Sequence, residues 1–219
     1  QAVMQDSVRY HNVADVEVGS FLSSGIDSSY MAACLAQENP DIRTFTVGFA
    51  EYQGERDEIS WARELADELS IANKSKHITE EEYWDSLPLV QWHMDEPSGD
   101  PSAVALYFVD QLAAQDVKAV LSGEGADEFF AGYRIYQVPF ANQKIEVVPR
   151  SMRRAGAKLA QALHVRGEHY LERSLQTPED WYYTNANGVA FGYDEASALL
   201  KRPLQTSRPQ TYTAPVYAE

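Results

Sequence analysis

The stretch 15–29 constrains the fold more than any other. Asp15-Val16-Glu17-Val18-Gly19-Ser20-Phe21-Leu22 alternates and then turns apolar, the mark of a strand. It runs straight into Ser23-Ser24-Gly25-Ile26-Asp27-Ser28-Ser29, and Met31, Cys34 and Leu35 then recur at helical spacing over 30–37. Strand, polar loop and helix follow one another without a spacer. The pattern recurs downstream. After a Pro40-Asp41 turn, 42–49 is rich in β-branched and aromatic residues and predicts a second strand. A polar loop over 51–57 precedes Ile59, Ala62, Leu65, Ala66 and Leu69, a helical stripe over 58–69. Residues 72–78 predict a short third strand, and Thr79 with Glu82 forms a capping-box pattern opening a helix to about Trp92. After a loop over 95–102, Val104, Phe108 and Leu112 mark a helix over 103–114, and 117–121 is a short apolar strand. Strands alternating with helices of this length imply βαβ units, right-handed crossovers and a parallel α/β sheet flanked by helices. The strands after residue 15 and before Ser122 are expected to be central, with their carboxyl ends facing one cleft.

Strand signals fade after about Tyr136. Residues 1–15 form a leading segment at the end of a helix, and 150–163 predicts a basic, partly amphipathic helix. Further short helices are expected over 168–175 and 195–200, and 181–183 is an aromatic cluster without a clear state. The last residues, 202–219, carry Pro203, Pro209 and Pro215 and predict a loop or frayed tail.

Composition narrows the partners. Eighteen basic against 33 acidic residues give a net charge of −15. This argues against nucleic acid and anionic membrane surfaces as partners. An anionic ligand must then be held locally, by backbone N–H groups, a lysine or a metal. No stretch of the length and apolarity of a membrane span occurs, and no signal peptide is visible, so a cytoplasmic location is expected. The single cysteine, Cys34, excludes an internal disulfide and sits in an apolar helical run as a core thiol.

Ligands of open parallel sheets bind at the carboxyl ends of strands. At the first such end, Ser23, Ser24, Ser28 and Ser29 supply hydroxyls, Gly25 allows close approach, and the next helix offers free N–H groups: a phosphate cradle. Asp27 would repel a bare phosphate, a conflict that magnesium bridging it to a polyphosphate resolves. The loop lacks the P-loop lysine and the dinucleotide glycine spacing. The competing reading is a serine-rich turn in which Asp27 or Ser28 caps a helix. At the second strand end, Ser122-Gly123-Glu124-Gly125-Ala126-Asp127-Glu128 exposes backbone and, if helical, sets Glu124, Asp127 and Glu128 on one face. One carboxylate would hold a metal and another accept a proton. The alternative is a solvated acidic helix start.

The first loop closely resembles the pyrophosphate-binding loop of ATP pyrophosphatases, Ser-Gly-Gly-hydrophobic-Asp-Ser-Ser. The second, continued by Phe129-Phe130-Ala131-Gly132-Tyr133, resembles a signature of glutamine-hydrolysing asparagine synthetases. Thr46-Val47-Gly48-Phe49, Asp95-Glu96-Pro97 and Asp100-Pro101-Ser102 match in order and spacing. Together these separate that family from NAD synthetases and tRNA-thiolating enzymes, which share the first loop alone. The resemblance implies the adenine nucleotide alpha hydrolase-like fold, with 1–137 as its α/β core and 138–219 as a more helical, truncated continuation. It implies ATP and Mg2+, aspartate as acceptor, a β-aspartyl-adenylate, and ammonia from a glutaminase domain in the full-length chain; a homodimer is compatible with it. Ser23, Ser24, Gly25, Ser28 and Ser29 would hold pyrophosphate, and Asp27 and Asp127 magnesium. Val47 and Gly48 would line the adenine and ribose pocket, Ser122 and Gly123 touch the nucleotide, and Tyr133 line the same pocket. Glu124 would take the proton of incoming ammonia, with Asp127 beside it in catalysis.

Three departures qualify the resemblance. Ser24 stands where the family has glycine, no glutaminase domain precedes Gln1, and a later lysine-bearing segment is missing. The chain therefore reads as a piece of the synthetase domain, inactive by itself. Relatives adenylating another carboxylate, such as β-lactam synthetases and peptide-cyclising homologues, and a non-catalytic ATP–Mg module are the alternatives.

Overall fold

A computed structural model describes residues 1–52, 57–95, 99–137, 140, 144–163, 171, 174–175, 197–202 and 210–217. The chain divides into two compact units, Gln1–Ala126 and Asp127–Glu219. The first unit is a four-stranded parallel sheet of order β3-β2-β1-β4, built from β1 (Val18–Phe21), β2 (Arg43–Phe49), β3 (Ala72–Ile78) and β4 (Ala119–Leu121). Between strands run α2 (Ile26–Glu38), α3 (Glu58–Leu69), α4 (Glu80–His93) and α5 (Ser102–Ala113), with α1 (Ala2–His11) ahead of β1. A 3-10 turn, Ala50–Tyr52, follows β2.

Alternation on β2 separates the two faces of the sheet. Phe45 packs with Val109, Leu112 and Ala113 of α5, while Ile78, Val90, Val104 and Phe108 form an adjoining cluster on α4 and α5. On the other side, Val8, Ala32, Cys34, Leu35, Ala62 and Ala66 join α1, α2 and α3 into a third cluster, so the thiol is a core group as expected. Helix α3 has Asp57 as its N-cap, accepting the Ile59 N–H, and Ser70 in the left-handed region ends it. The Thr79–Glu82 capping box at α4 is complete in both directions, and the helix accommodates Pro88.

The parallel α/β sheet flanked by helices is as expected, with three differences of detail. Among the described residues, β4 is an edge strand of the four, not a central one; there it pairs with β1 alone. Strand β1 is shorter than its pattern, because 15–17 precede the paired residues. Helix α2 starts at Ile26, four residues earlier than its apolar stripe suggests, since polar Asp27 and Ser28 form its first turn.

Short α6 (Ala126–Phe130) spans the unit boundary. The second unit has a 3-10 turn, Arg134–Gln137, and helices α7 (Arg150–Ala162) and α8 (Gln210–Tyr217). The basic helix α7 is as expected; Arg150 donates to the Leu175 carbonyl at 3.1 Å, and Arg153 to those of Val148 and Ser174. Helix α8 corrects the loop or tail expected over 202–219. The five residues 210–214 contain neither glycine nor proline, and the helix runs through Pro215. Residues 197–199 are helical, while most of 168–175 and all of 181–183 lie outside the described residues. No helix among the described residues is long and apolar enough to cross a membrane.

Candidate functional site

Parallel pairing brings the two loops side by side. Ser20 of β1 is in register with Leu121 of β4, and the buried Ser20 hydroxyl donates to the Leu121 carbonyl at 3.2 Å. Each strand then leaves the sheet through a leucine and a serine or a serine alone: Leu22-Ser23 and Leu121-Ser122. Each serine folds the chain the same way. Ser23 Oγ accepts the Gly25 N–H at 3.1 Å, and Ser122 Oγ accepts the Glu124 N–H at 3.2 Å. Below the first loop, Thr46 Oγ1 donates to the Leu22 carbonyl at 2.7 Å.

The first loop is tied by its own hydroxyls. Ser28 Oγ accepts the Ser23 N–H at 3.1 Å and lies 2.8 Å from Ser23 Oγ. Ser29 Oγ donates to the Gly25 carbonyl at 2.7 Å. Gly25 is the N-cap of α2 and no side chain caps the helix, so the capping role considered for Asp27 or Ser28 is not the one found. The N–H groups of Ile26, Asp27 and Ser28 therefore lack intrahelical acceptors. Ser24 and Asp27 are exposed, whereas Ser28 is buried. An uncapped helix start with a free carboxylate beside it suits an anion accompanied by a cation.

Gly123 brings the second loop against the first. A Cβ placed on Gly123 would lie 2.9 Å from the Ser28 nitrogen and 3.1 Å from both the carbonyl carbon and the Cβ of Asp27. Only a residue without a side chain fits against this turn. The Ala126 N–H then bonds back to the Gly123 carbonyl at 3.3 Å, with Gly125 at φ 86°. That is a turn needing positive φ at its third residue, with exposed Glu124 at its tip. Helix α6 begins only at Ala126, so Glu124 lies before the helix and does not share a helical face with Asp127 and Glu128.

In the second unit, Asp127 is held from its own segment. The Gly132 N–H bonds to the Asp127 carbonyl at 3.0 Å, with Ala131 left-handed at φ 56°, a Schellman-type close to α6. A Cβ on Gly132 would collide with Asp127 Oδ1. Tyr133 donates its hydroxyl to Glu128 Oε1 at 2.9 Å.

Residues 1–212 match the asparagine synthase family. The chain belongs to that family. A putative glutamine-hydrolysing asparagine synthetase of Mycobacterium bovis is 41% identical over 224 aligned positions, covering 100% of this chain and 33% of the relative. Asparagine synthetase 1 of Bacillus subtilis, also described as glutamine-hydrolysing, is 44% identical over 183 positions, with 83% and 29% covered. The chain thus spans about a third of the length of these relatives. Among solved structures, an NH3-dependent NAD synthetase from Campylobacter jejuni, in complex with a nitrate ion, is similar at 13% identity and a TM-score of 0.42, covering 84% of this chain and 82% of that one.

Val47 and Gly48, which the family resemblance assigns to the nucleotide pocket, lie on the strand next to β1. Val47 packs into both apolar clusters on the α4–α5 side. A Cβ on Gly48 would meet Asp57 Oδ1 at 3.1 Å and Ile59 at 3.2 Å. Asp57 is a residue that motif reading passed over. Burial pushes its carboxyl up, but the Ile59 N–H, His77 and the Ser60 hydroxyl outweigh that and hold it below the usual aspartate value. The signal was present as Asp57 and Ser60 astride the start of a helical stripe. Thr46, which the matching motif contains without a role, and Ser20 gain theirs only from the fold, being ordinary polar members of strands in one dimension. Among the described residues, no three His, Cys, Asp or Glu side chains gather as a metal cage. Magnesium rarely needs one, since it is commonly held by one or two carboxylates plus substrate phosphates, and exposed Asp27 is a donor of that type.

Proposed function

We propose that residues 1–137 bind ATP as the nucleotide-binding core of an asparagine-forming ligase, with 138–219 as its helical continuation. The observation carrying this reading is the fit of Gly123 over the uncapped first turn of α2, which sets two backbone-rich loops side by side. The N–H groups of Ile26, Asp27 and Ser28, with Ser24 and Ser29, hold the pyrophosphate portion. Ser23 and Ser28 keep the loop in shape through their mutual bonds. Gly25 lets the chain turn there, Ser122 and Gly123 border the nucleotide, and Val47 and Gly48 meet the base and ribose through backbone, their side-chain positions being filled from the core. Tyr133 would line the nucleotide pocket, as the family resemblance implies.

The acceptor is the side-chain carboxylate of aspartate. Its oxygen attacks the α-phosphorus, the bond to the α–β bridging oxygen breaks, and pyrophosphate leaves the β-aspartyl-adenylate behind. Ammonia then adds to the acyl carbon, the bond to AMP breaks, and asparagine forms. Asp27 and Asp127 would hold Mg2+, which supplies charge neutralisation as pyrophosphate departs. Glu124, exposed on a loop tip beside the cradle, accepts the proton that the attacking nitrogen loses. Ammonia is drawn from glutamine by a glutaminase domain, in keeping with the glutamine-hydrolysing description of the relatives.

The test is Glu124→Gln in the full-length gene product. Aspartate-dependent exchange of pyrophosphate into ATP should persist, while ammonia-dependent asparagine formation falls by about 10²–10⁴, the usual loss of a general base. Equal loss of both makes Glu124 a binding residue; loss of neither removes it from the reaction.

A further inference from the structure

A cavity of about 370 Å³ lies where β2 and β3 end, at the carboxyl edge of the parallel sheet, and is lined by Phe49, Glu51, Tyr52, Glu80, Tyr83 and Trp84. Four of the six are aromatic. Phe49 stands 6.5 Å from Tyr52 and 6.1 Å from Tyr83, and Tyr83 5.3 Å from Trp84, with two of these pairs near perpendicular. Crossed rings of this kind present faces as well as edges to the space between them. The two remaining residues are carboxylates. Glu51 Oε1 accepts the Glu80 N–H at 3.1 Å, which fixes one acid to the first turn of α4. Among the described residues, no lysine, arginine or histidine pairs with Glu51 or Glu80. Lys76, on adjoining β3, is turned to Glu82 at 2.6 Å and over the Phe108 ring.

We propose that this cavity binds an organic monocation of the quaternary ammonium or guanidinium class. Ring faces attract such a cation and the two acids complement its charge. An anion would face two carboxylates. A divalent metal would find too few oxygen donors, one of them already engaged with a backbone N–H. The volume lies at the small end of ligand sites. None of the six lining residues belongs to the two loops, and the test reads cation binding rather than nucleotide binding, so its outcome does not depend on the reading of those loops.

Saturation-transfer NMR on the chain uses choline as probe and 3,3-dimethyl-1-butanol, its uncharged isostere, as control. Choline should receive saturable transfer and the isostere none. Trp84→Ala removes a half-exposed ring and should weaken choline by about two- to thirtyfold, with circular dichroism verifying the fold. Glu51→Gln combined with Glu80→Gln should weaken it while keeping the cavity's shape. A Gly-Arg-Gly peptide distinguishes the sources of the cation: tighter binding than free methylguanidinium points to a polypeptide side chain, and equal binding to a free small molecule, each sustaining the site. Equal transfer to the uncharged isostere, or choline binding unchanged in folded Trp84→Ala, overturns the proposal.

Discussion

Gly123→Ala should separate the two loops. The new methyl would stand 2.9 Å from the Ser28 nitrogen and 3.1 Å from the Asp27 carbonyl carbon, both backbone atoms of a helix. Carbon contacts become comfortable at about 3.5 Å, so the loops must part by roughly half an ångström. Overpacking of this kind costs about 1–3 kcal/mol. Alanine's smaller unfolded-state entropy returns about 0.4–1 kcal/mol, because Gly123 lies outside the left-handed region and alanine can adopt its backbone. The net loss should be about 1–2 kcal/mol, read from urea denaturation of the chain. ATP titration of the full-length gene product should show a loss of about tenfold or more, since 1.4 kcal/mol of misplacement already amounts to that. Gly25→Ala is the matched control. Its methyl would meet only Ser23 Oγ at 3.2 Å and Ser28 Oγ at 3.9 Å, at φ −74°, and hydroxyls can give way. Its stability loss should be less than half as large. Stability and ATP affinity of Gly123→Ala both within a factor of two of the parent would refute the apposition as a functional contact.

Ser28→Ala leaves the Ser23 N–H without its acceptor in a half-buried place and should cost about 1–3 kcal/mol by urea denaturation. Gly132→Ala collides with the Asp127 carboxylate and brings its methyl within 3.3 Å of the Asp127 Cα, so the side chain must turn away and stability should fall by about 1 kcal/mol. Calorimetry of the full-length gene product should show the magnesium-dependent part of its nucleotide affinity reduced, because Asp127 must turn away. Thr79→Ala removes the capping hydroxyl of α4 and should cost about 1 kcal/mol. The Lys76 ammonium, with the Thr79 backbone N–H, holds Glu82 below its ordinary value of 4.5. The stability it confers is therefore full above that value and lost as pH falls through the lower folded one. Acid titration of stability, compared with Glu82→Gln, should show the difference shrinking in that window.

Elements with strong periodicity or caps were legible residue by residue. The stripe of Ile59, Ala62 and Ala66 and the Thr79–Glu82 box located α3 and α4 because burial and capping are encoded within a few neighbours. The apolar stripe of helix α2 begins four residues after the helix does, because its first turn is polar and such a stripe reports only the residues that face the core. The edge position of β4 was hidden for another reason: an apolar run reveals burial, not how many neighbours pair with it. Within the site, the serines and glycines were visible as a motif. Their division of labour was not, since the bond between the Ser23 N–H and Ser28 Oγ and the close fit of Gly123 arise only when the backbone is folded. Asp57, paired with His77 across 20 positions, illustrates the same limit.

The pairing of β1 with β4 also has a kinetic side. Ser20 and Leu121 are 101 positions apart, yet their contact is what sets the two loops together. Closing so long a loop carries an entropic cost that must be met before the contacts it permits can repay it, and such contacts slow folding. β1, β2 and β3 are complete by Ile78, so the first loop and its helix can form while β4 is still unpaired. The proposed phosphate cradle then waits on the arrival of the edge strand, and a chain interrupted before Leu121 has only the first of the two loops on an already formed sheet. A ligand bridging both loops would act as a clasp on this last pairing, slowing its opening far more than that of β2 from β3.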